Sequence, residues 1–217
     1  MNTPRINNYH MPAEWHPHEC CWMQWPYDNP NHNSYGDIPS WSHFDFEKGR
    51  LAWASVAKAI SEFEKVKMIV HPDNLTNAKN ILDSKIEIIE HLIDDCWARD
   101  SGAIFLLNNE NKLGGIDWEF NGWGKFKPYD SDNKIAKFMI KNSSAKYFKN
   151  NMILEGGSIH VDGNGTLLTT EQCLLNKNRN PKLKKEEIED NIKKYLNINK
   201  IIWLKNGTDE GTDGHID

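Results

Sequence analysis

Two segments of this chain follow one pattern, an acid, a small residue, Gly, a small residue and Ile. They are Asp100-Ser101-Gly102-Ala103-Ile104 and Glu155-Gly156-Gly157-Ser158-Ile159, 55 residues apart. Each leads into an apolar run, a turn-forming stretch (108–112 and 162–165) and a second apolar run. Self-similarity at such a period marks repeated supersecondary units, although Gly-rich turns also resemble one another by chance. Units set around an axis would bring equivalent strand starts together, and with them Asp100 and Glu155. The paired glycines 156 and 157 would let another chain or a ligand approach the backbone closely.

Around these segments short apolar runs alternate with amphipathic ones, which predicts an α/β class. Strands are expected at 20–25, 66–70, 86–91, 103–107, 112–116, 158–161, 166–169 and 200–204. The clearest helix is 46–63, with Leu51, Val56, Ala59, Ile60 and Phe63 read as its apolar face. Shorter helices are expected at 73–82, after Pro72, and at 130–140 and 185–196. The polar run 176–184, containing Pro181, reads as a loop. No linker divides the chain, so residues 1–217 are expected to form a single domain.

A hydrophobic content of 38% with nine Trp excludes a disordered composition. The formal charge of −5 gives no electrostatic reason to bind nucleic acid or an anionic membrane. No apolar stretch approaches the length of a membrane span, and the opening residues lack a signal-peptide pattern. Cys20, Cys21, Cys96 and Cys173 match neither a disulfide framework nor a zinc spacing. A reduced, cytoplasmic protein is the default expectation.

Three constellations could carry chemistry. In Trp97-Ala98-Arg99-Asp100 an indole and a carboxylate lie three residues apart, the stacking face and charged acceptor that a planar guanidinium wants. A surface Arg99–Asp100 turn with Trp97 in the core is the plainer reading by residue type alone. Leu154-Glu155-Gly156-Gly157 reads equally as a tight turn with a solvated Glu. In Gly214-His215-Ile216-Asp217 an extended backbone would place the imidazole and the carboxylate on one face, a general acid/base beside a charge, and a polar loop is the competitor.

Together these segments resemble the agmatine deiminase family, related to bacterial peptidylarginine deiminases in the guanidino-group-modifying superfamily. The resemblance rests on MPAEWHPHECCWMQWP, WARDSG, GGIDWEFNGWG, LEGGSIHVDGNGTLLTTEQCLLNKNRNP and GTDEGTDGHID, in the family's order along the whole chain. It implies a pseudo-five-fold α/β propeller of ββαβ-type units around a central site, here incomplete. It implies that Asp100 binds a substrate guanidinium, with Trp97 walling the substrate and Asp217 as a second guanidinium-binding carboxylate. Glu155 would orient the catalytic histidine or the guanidinium, and His215 would be the general acid/base.

The implied reaction converts agmatine and water to N-carbamoylputrescine and ammonia through a cysteine adduct, with no metal or organic cofactor. A peptidylarginine deiminase-type hydrolase and a non-catalytic guanidine-binding remnant are the alternatives. The family's nucleophile lies in a Gly-rich segment ending in a His-Cys pair, and none of the four cysteines here matches it. The resemblance therefore implies an N-terminal part truncated at its C-terminus, prone to self-association or needing a C-terminal partner fragment. The run before Gly214 also departs from the family's spacing of acids.

Overall fold

The computed structural model describes residues 3–31 and 45–217. In chain order the elements are β1 (Tyr9–His10), β2 (Cys20–Gln24), α1 (Phe46–Ser61), β3 (Lys65–Val70), α2 (Leu75–Ile81), β4 (Glu87–Glu90), α3 (Ala98–Ser101), β5 (Ile104–Asn108) and β6 (Leu113–Glu119). There follow α4 (Ile135–Asn142), β7 (Lys146–Ile153), β8 (Ile159–Val161), β9 (Thr166–Thr170), α5 (Glu171–Leu174), α6 (Lys185–Leu196) and β10 (Lys200–Leu204). This is a mixed α/β chain, as its alternating pattern predicts. Among the described residues no helix is long and apolar enough to cross a membrane.

The residues divide into two compact units that interleave in sequence. One holds Met1–His16, Arg99–Lys125 and Asn133–Asp217, and the other Pro17–Ala98 and Phe126–Asp132.

In the first unit the same construction occurs twice. β5 and β6 form an antiparallel hairpin, α4 follows, and β7 returns parallel to β6. β8 and β9 form an antiparallel hairpin, α5 and α6 follow, and β10 returns parallel to β9. A parallel return needs a crossover, and the helix supplies it. Leu106, Ile116, Phe148, Ile159, Leu167, Ile188 and Ile192, from both copies, share one buried core. Glu187 accepts from the Lys184 amide at 2.8 Å at the start of α6, and Asn197 ends that helix in a left-handed conformation (φ 58°).

The second unit is a three-stranded parallel sheet, β2-β3-β4, with α1 and α2 as its crossovers. Asp45 caps α1 by accepting from the Lys48 amide at 3.1 Å. The inward face of α1 differs from the sequence expectation. Leu51, Val56 and Phe63 are exposed by 61%, 51% and 92%, whereas Ala57 is fully buried and Trp53, Ala54 and Ile60 pack on the core. At about 100° per residue the expected face was spread over half the helix, while Arg50, Trp53, Ala54, Ala57 and Ile60 form a narrow stripe. Arg50 joins that stripe because its guanidinium donates to the Pro26 carbonyl and to Glu47.

Two strands were not anticipated. β1 has only two residues. β7, KYFKNNMI, has a polar run at Lys149–Asn151 that breaks any apolar alternation, and it is held by pairing to β6 rather than by its own composition. The expected helix at 130–140 begins as a 3₁₀ turn at Asp132–Lys134 before α4.

The corrected phase of α1 makes an unequal pair of substitutions. Leu51→Ser should move the unfolding free energy by less than about 0.5 kcal/mol. Ala57→Asp, which buries an unpaired carboxylate, should abolish cooperative folding of the second unit in urea denaturation. Equal effects would return Leu51 to the core face.

Candidate active site

The two copies of the repeated motif meet in the first unit. Asp100 stands in the turn α3 before β5, and Glu155 begins the turn Gly156–Ser158 before β8. A Cβ on Gly156 would lie 2.1 Å from the Arg99 carbonyl oxygen, so only glycine permits this approach. One residue on, the Gly157 amide donates to Asp100 Oδ1 at 2.9 Å. The chain that closes on the paired glycines is thus the other copy of the motif.

His215 enters the same place from the last loop. The Ile216 amide donates to the Gly157 carbonyl at 3.1 Å, and the Thr208 amide to the His215 carbonyl at 3.0 Å. His215 is 3% exposed. Its Nδ1 lies 3.8 Å from Asp100 Oδ2 and its Nε2 lies 3.9 Å from Glu155 Oε2. These are ion-contact distances, longer than hydrogen bonds. Among the described residues, Glu155 Oε2 and His215 Nε2 are buried polar atoms with no hydrogen-bond partner. Each ring nitrogen faces one carboxylate, so the imidazole can take up or release a proton at a fixed position.

Asp217 also arrives here. The point where a Cβ of Gly157 would stand is 2.5 Å from His215 Nδ1, 2.7 Å from Asp100 Oδ1 and 2.9 Å from Asp217 Oδ1. Asp217 Oδ2 accepts from Arg99 at 2.8 Å, and Arg99 also pairs with Glu14 at 2.8 Å. Trp97 belongs to the other unit, where its ring packs edge-on to Trp53 at 5.6 Å.

Arg179 organises the cluster, although no role was expected of it within the segment ending NKNRNP. It lies in the loop between α5 and α6, yet its side chain is fully buried. Its Nε donates to Glu155 Oε1 at 2.5 Å. Nη1 donates to the Trp123 carbonyl, Asn178 Oδ1 and Asp213 Oδ2, and Nη2 to the Thr212 carbonyl, at 2.6 to 2.9 Å. Burial pushes the Glu155 carboxyl above its ordinary value; Arg179 and then His215 pull it back, and Asp100 adds to the rise. Burial also pushes Asp213 up, but its hydrogen bonds to Asn178, Lys125 and Arg179 win and hold it below the ordinary range.

Trp123, in the segment GGIDWEFNGWG, is the second residue of which no role was expected. Residues 122–124 all take positive φ (64°, 54° and 70°), which suits the two glycines and strains the tryptophan between them. The turn aims the indole N–H at Asp100 Oδ2, 2.8 Å away. Asp100 is therefore held by two neutral donors, the Gly157 amide and the Trp123 indole. Among the described residues no Lys or Arg pairs with it. Glu155 and Asp213 have cations of their own in Arg179 and Lys125. The cluster thus carries a nearly buried carboxylate with no Lys or Arg of its own, suited to a cation.

Two clusters among the described residues have donor sets for a metal ion, Glu155–Cys173–His215 here and His18–Cys21–Glu64 in the second unit. The Cys173 thiol is pushed up by burial first and by Glu155 second, so it stands beside the histidine as a neutral thiol.

Arg179→Ala should lower the unfolding free energy by about 3–5 kcal/mol, since it strands the Glu155 charge inside. Arg179→Lys should recover only part of this, because an ammonium cannot replace the planar fork. Denaturant titration of both variants checks the order, and full recovery by Lys would reduce Arg179 to a point charge.

Comparison with known proteins matches this arrangement to one family. Residues 10–217 match the model of the Porphyromonas-type peptidyl-arginine deiminase family. A relative from Legionella pneumophila (strain Paris) is 47% identical over 221 residues, covering all of this chain and 61% of its own length. The agmatine deiminase of Pseudomonas aeruginosa (strain LESB58) is 42% identical over 224 residues, covering 100% of this chain and 58% of its own. The solved agmatine deiminase of Enterococcus faecalis superposes with a TM-score of 0.90 at 36% identity, over 100% of this chain and 58% of that one. A cysteine-to-serine variant of the C. jejuni agmatine deiminase, solved with substrate bound, gives 0.79 at 33% identity, over 96% and 60%. The chain spans about three fifths of the length of these relatives. With a match over nearly all its residues, the chain belongs to the Porphyromonas-type peptidyl-arginine deiminase family.

Proposed function

We propose that this chain is the guanidinium-recognising part of an agmatine deiminase, a hydrolase that releases ammonia from agmatine. The observation that carries the reading is Asp100, a nearly buried carboxylate held by neutral donors alone, with its Oδ2 3.8 Å from His215. A guanidinium supplies the missing positive charge and paired N–H donors that fit a carboxylate edge. Glu155 stands on the other side of the imidazole and positions it. His215 passes a proton to the departing ammonia and takes one from the attacking water. Asp217 offers Oδ1 to the second edge of the guanidinium while Arg99 holds Oδ2. Trp97 is the proposed wall of the substrate's chain.

The covalent step needs a thiolate. It attacks the guanidine carbon, ammonia leaves, and water then cleaves the C–S bond to give the ureido product and free thiol. All four cysteines here have thiols pushed above their ordinary value, with burial the leading cause in each. The nucleophile is therefore assigned to the portion of the family's length outside these residues, and the two ββαβ units to a ring that this portion completes as a pseudo-five-fold propeller. No metal or organic cofactor enters this scheme. The C. jejuni relative, by its description, binds substrate when a cysteine is replaced by serine, which supports a thiol nucleophile in the family.

In protein of the family's full length, Asp100→Asn should lower kcat/KM for agmatine by about 2–5 kcal/mol, roughly thirty- to several-thousandfold. A colorimetric assay of the ureido product reads it, and unchanged kinetics would make Asp100 structural. Turnover of a peptidyl-arginine substrate in preference to agmatine would assign the peptide-directed activity instead. The 217-residue chain alone should release no ammonia from agmatine above background, because acid–base help does not replace a nucleophile. Release blocked by iodoacetamide would contradict this and point to one of its own cysteines.

A further inference from the structure

The proposed reaction uses nothing from the second unit's cluster at the edge of its parallel sheet. His18 lies just before β2, Cys21 is the second residue of β2, and Glu64 lies between α1 and β3. The pairing of Cys21 with Val66 across the sheet brings these segments side by side. His18 Nδ1 and Cys21 Sγ each lie 3.4 Å from Glu64 Oε1, and the three donor atoms all fall within 4.8 Å of one another.

The His18 contact is long for a hydrogen bond, the Cys21 thiol donates to Oε1 at an ordinary distance for sulfur, and Glu64 is still poorly compensated. Its Oε2 is buried and without a hydrogen-bond partner, and among the described residues no Lys or Arg pairs with it. A carboxylate half-removed from water with one oxygen lacking a donor and no full cation beside it is costly, and a metal ion at Oε1 offsets that cost. The spacings also have a meaning of their own. Zinc bonds of about 2.3 Å to sulfur and about 2.0–2.2 Å to nitrogen and oxygen give tetrahedral edges of about 3.4 Å for N···O and about 3.6 Å for S···O. The measured separations of 3.4 Å are within a few tenths of an ångström of both.

We propose that His18, Cys21 and Glu64 form a three-ligand site for a zinc-class divalent metal ion, with a fourth position open to solvent. A mixed nitrogen, sulfur and oxygen set suits zinc and its first-row neighbours, whereas magnesium and calcium ask for oxygen alone. The exposed imidazole gives the ion a route in, its side chain being 44% exposed. On binding, the Cys21 S–H bond breaks, a Zn–S bond forms and the proton passes to solvent. Burial and then Glu64 push that thiol up to about 12, so the metal works against a tightly held proton. The bound ion ties the start of β2 to the segment that enters β3, a staple on the sheet independent of the deiminase site.

The test titrates the full chain with Co²⁺ and then displaces it with Zn²⁺. One Co²⁺ per chain should bind, with a thiolate-to-cobalt charge-transfer band that Zn²⁺ abolishes, and Zn²⁺ should raise the thermal midpoint. His18→Ala and Cys21→Ser should each weaken Zn²⁺ binding at least tenfold, and Cys21→Ser should lose the band. Cys20→Ser and Cys173→Ser should bind as the parent does. His18 is exposed, so its Ala variant keeps the fold and decides the matter if Cys21→Ser is unstable. Binding that survives His18→Ala, or that is lost in Cys173→Ser and kept in Cys21→Ser, would overturn the assignment, the latter moving the ion to the buried Glu155–Cys173–His215 cluster.

Discussion

The Arg179–Glu155 ion pair is the contact on which the candidate site depends. Both side chains are fully buried, so each charge would be prohibitive without the other. What makes the pair tolerable is that the guanidinium meets every acceptor around it: Glu155, Asp213, Asn178 and the carbonyls of Trp123 and Thr212. Those acceptors come from four separate stretches of chain, the turn at 122–124, the loop at 176–184, the loop at 212–213 and the start of the second repeated motif. One side chain therefore fixes the Trp123 turn that presents an indole to Asp100 and the loop that delivers His215. The site is a set of loops held by one fork of donors.

The repeated motif is the other half of the arrangement. It puts an acid one helical turn before each hairpin, and the missing side chain at Gly156 lets the second copy close on the carbonyl of Arg99. Gly157 then leaves the volume into which His215, Asp100 and Asp217 converge. Closure of two like units on each other explains why carboxylates 55 positions apart end within reach of one imidazole.

The sequence made the α/β class readable because short apolar runs such as β3 and β10 alternate with 3.6-period stretches such as α6. It did not reveal β7, whose residues are too polar to announce a strand, or the true face of α1, where Arg50 takes an inward position that hydrophobic periodicity assigns to an apolar residue. Asp100, Glu155, His215 and Asp217 draw the eye as acids and a histidine beside glycines, but residue type alone favours ordinary turns there, and the roles expected of them come from the family resemblance. Arg179 and Trp123 carried no expected role. An arginine in NKNRNP looks solvated until its five donors are traced, and the Trp123 role follows from three consecutive left-handed residues that no propensity predicts.

The central claim is that the negative charge of Asp100, left without a Lys or Arg, recognises a guanidinium and not any cation. Calorimetric titration of family-length protein with agmatine and with 1,5-diaminopentane, which carries an ammonium where agmatine carries the guanidine, tests it directly. The account predicts that agmatine binds and that the diamine does not compete at a hundredfold excess. Equal affinity for the two would show a site that reads charge alone, and would contradict the assignment of Asp100, Glu155 and His215 to guanidine chemistry.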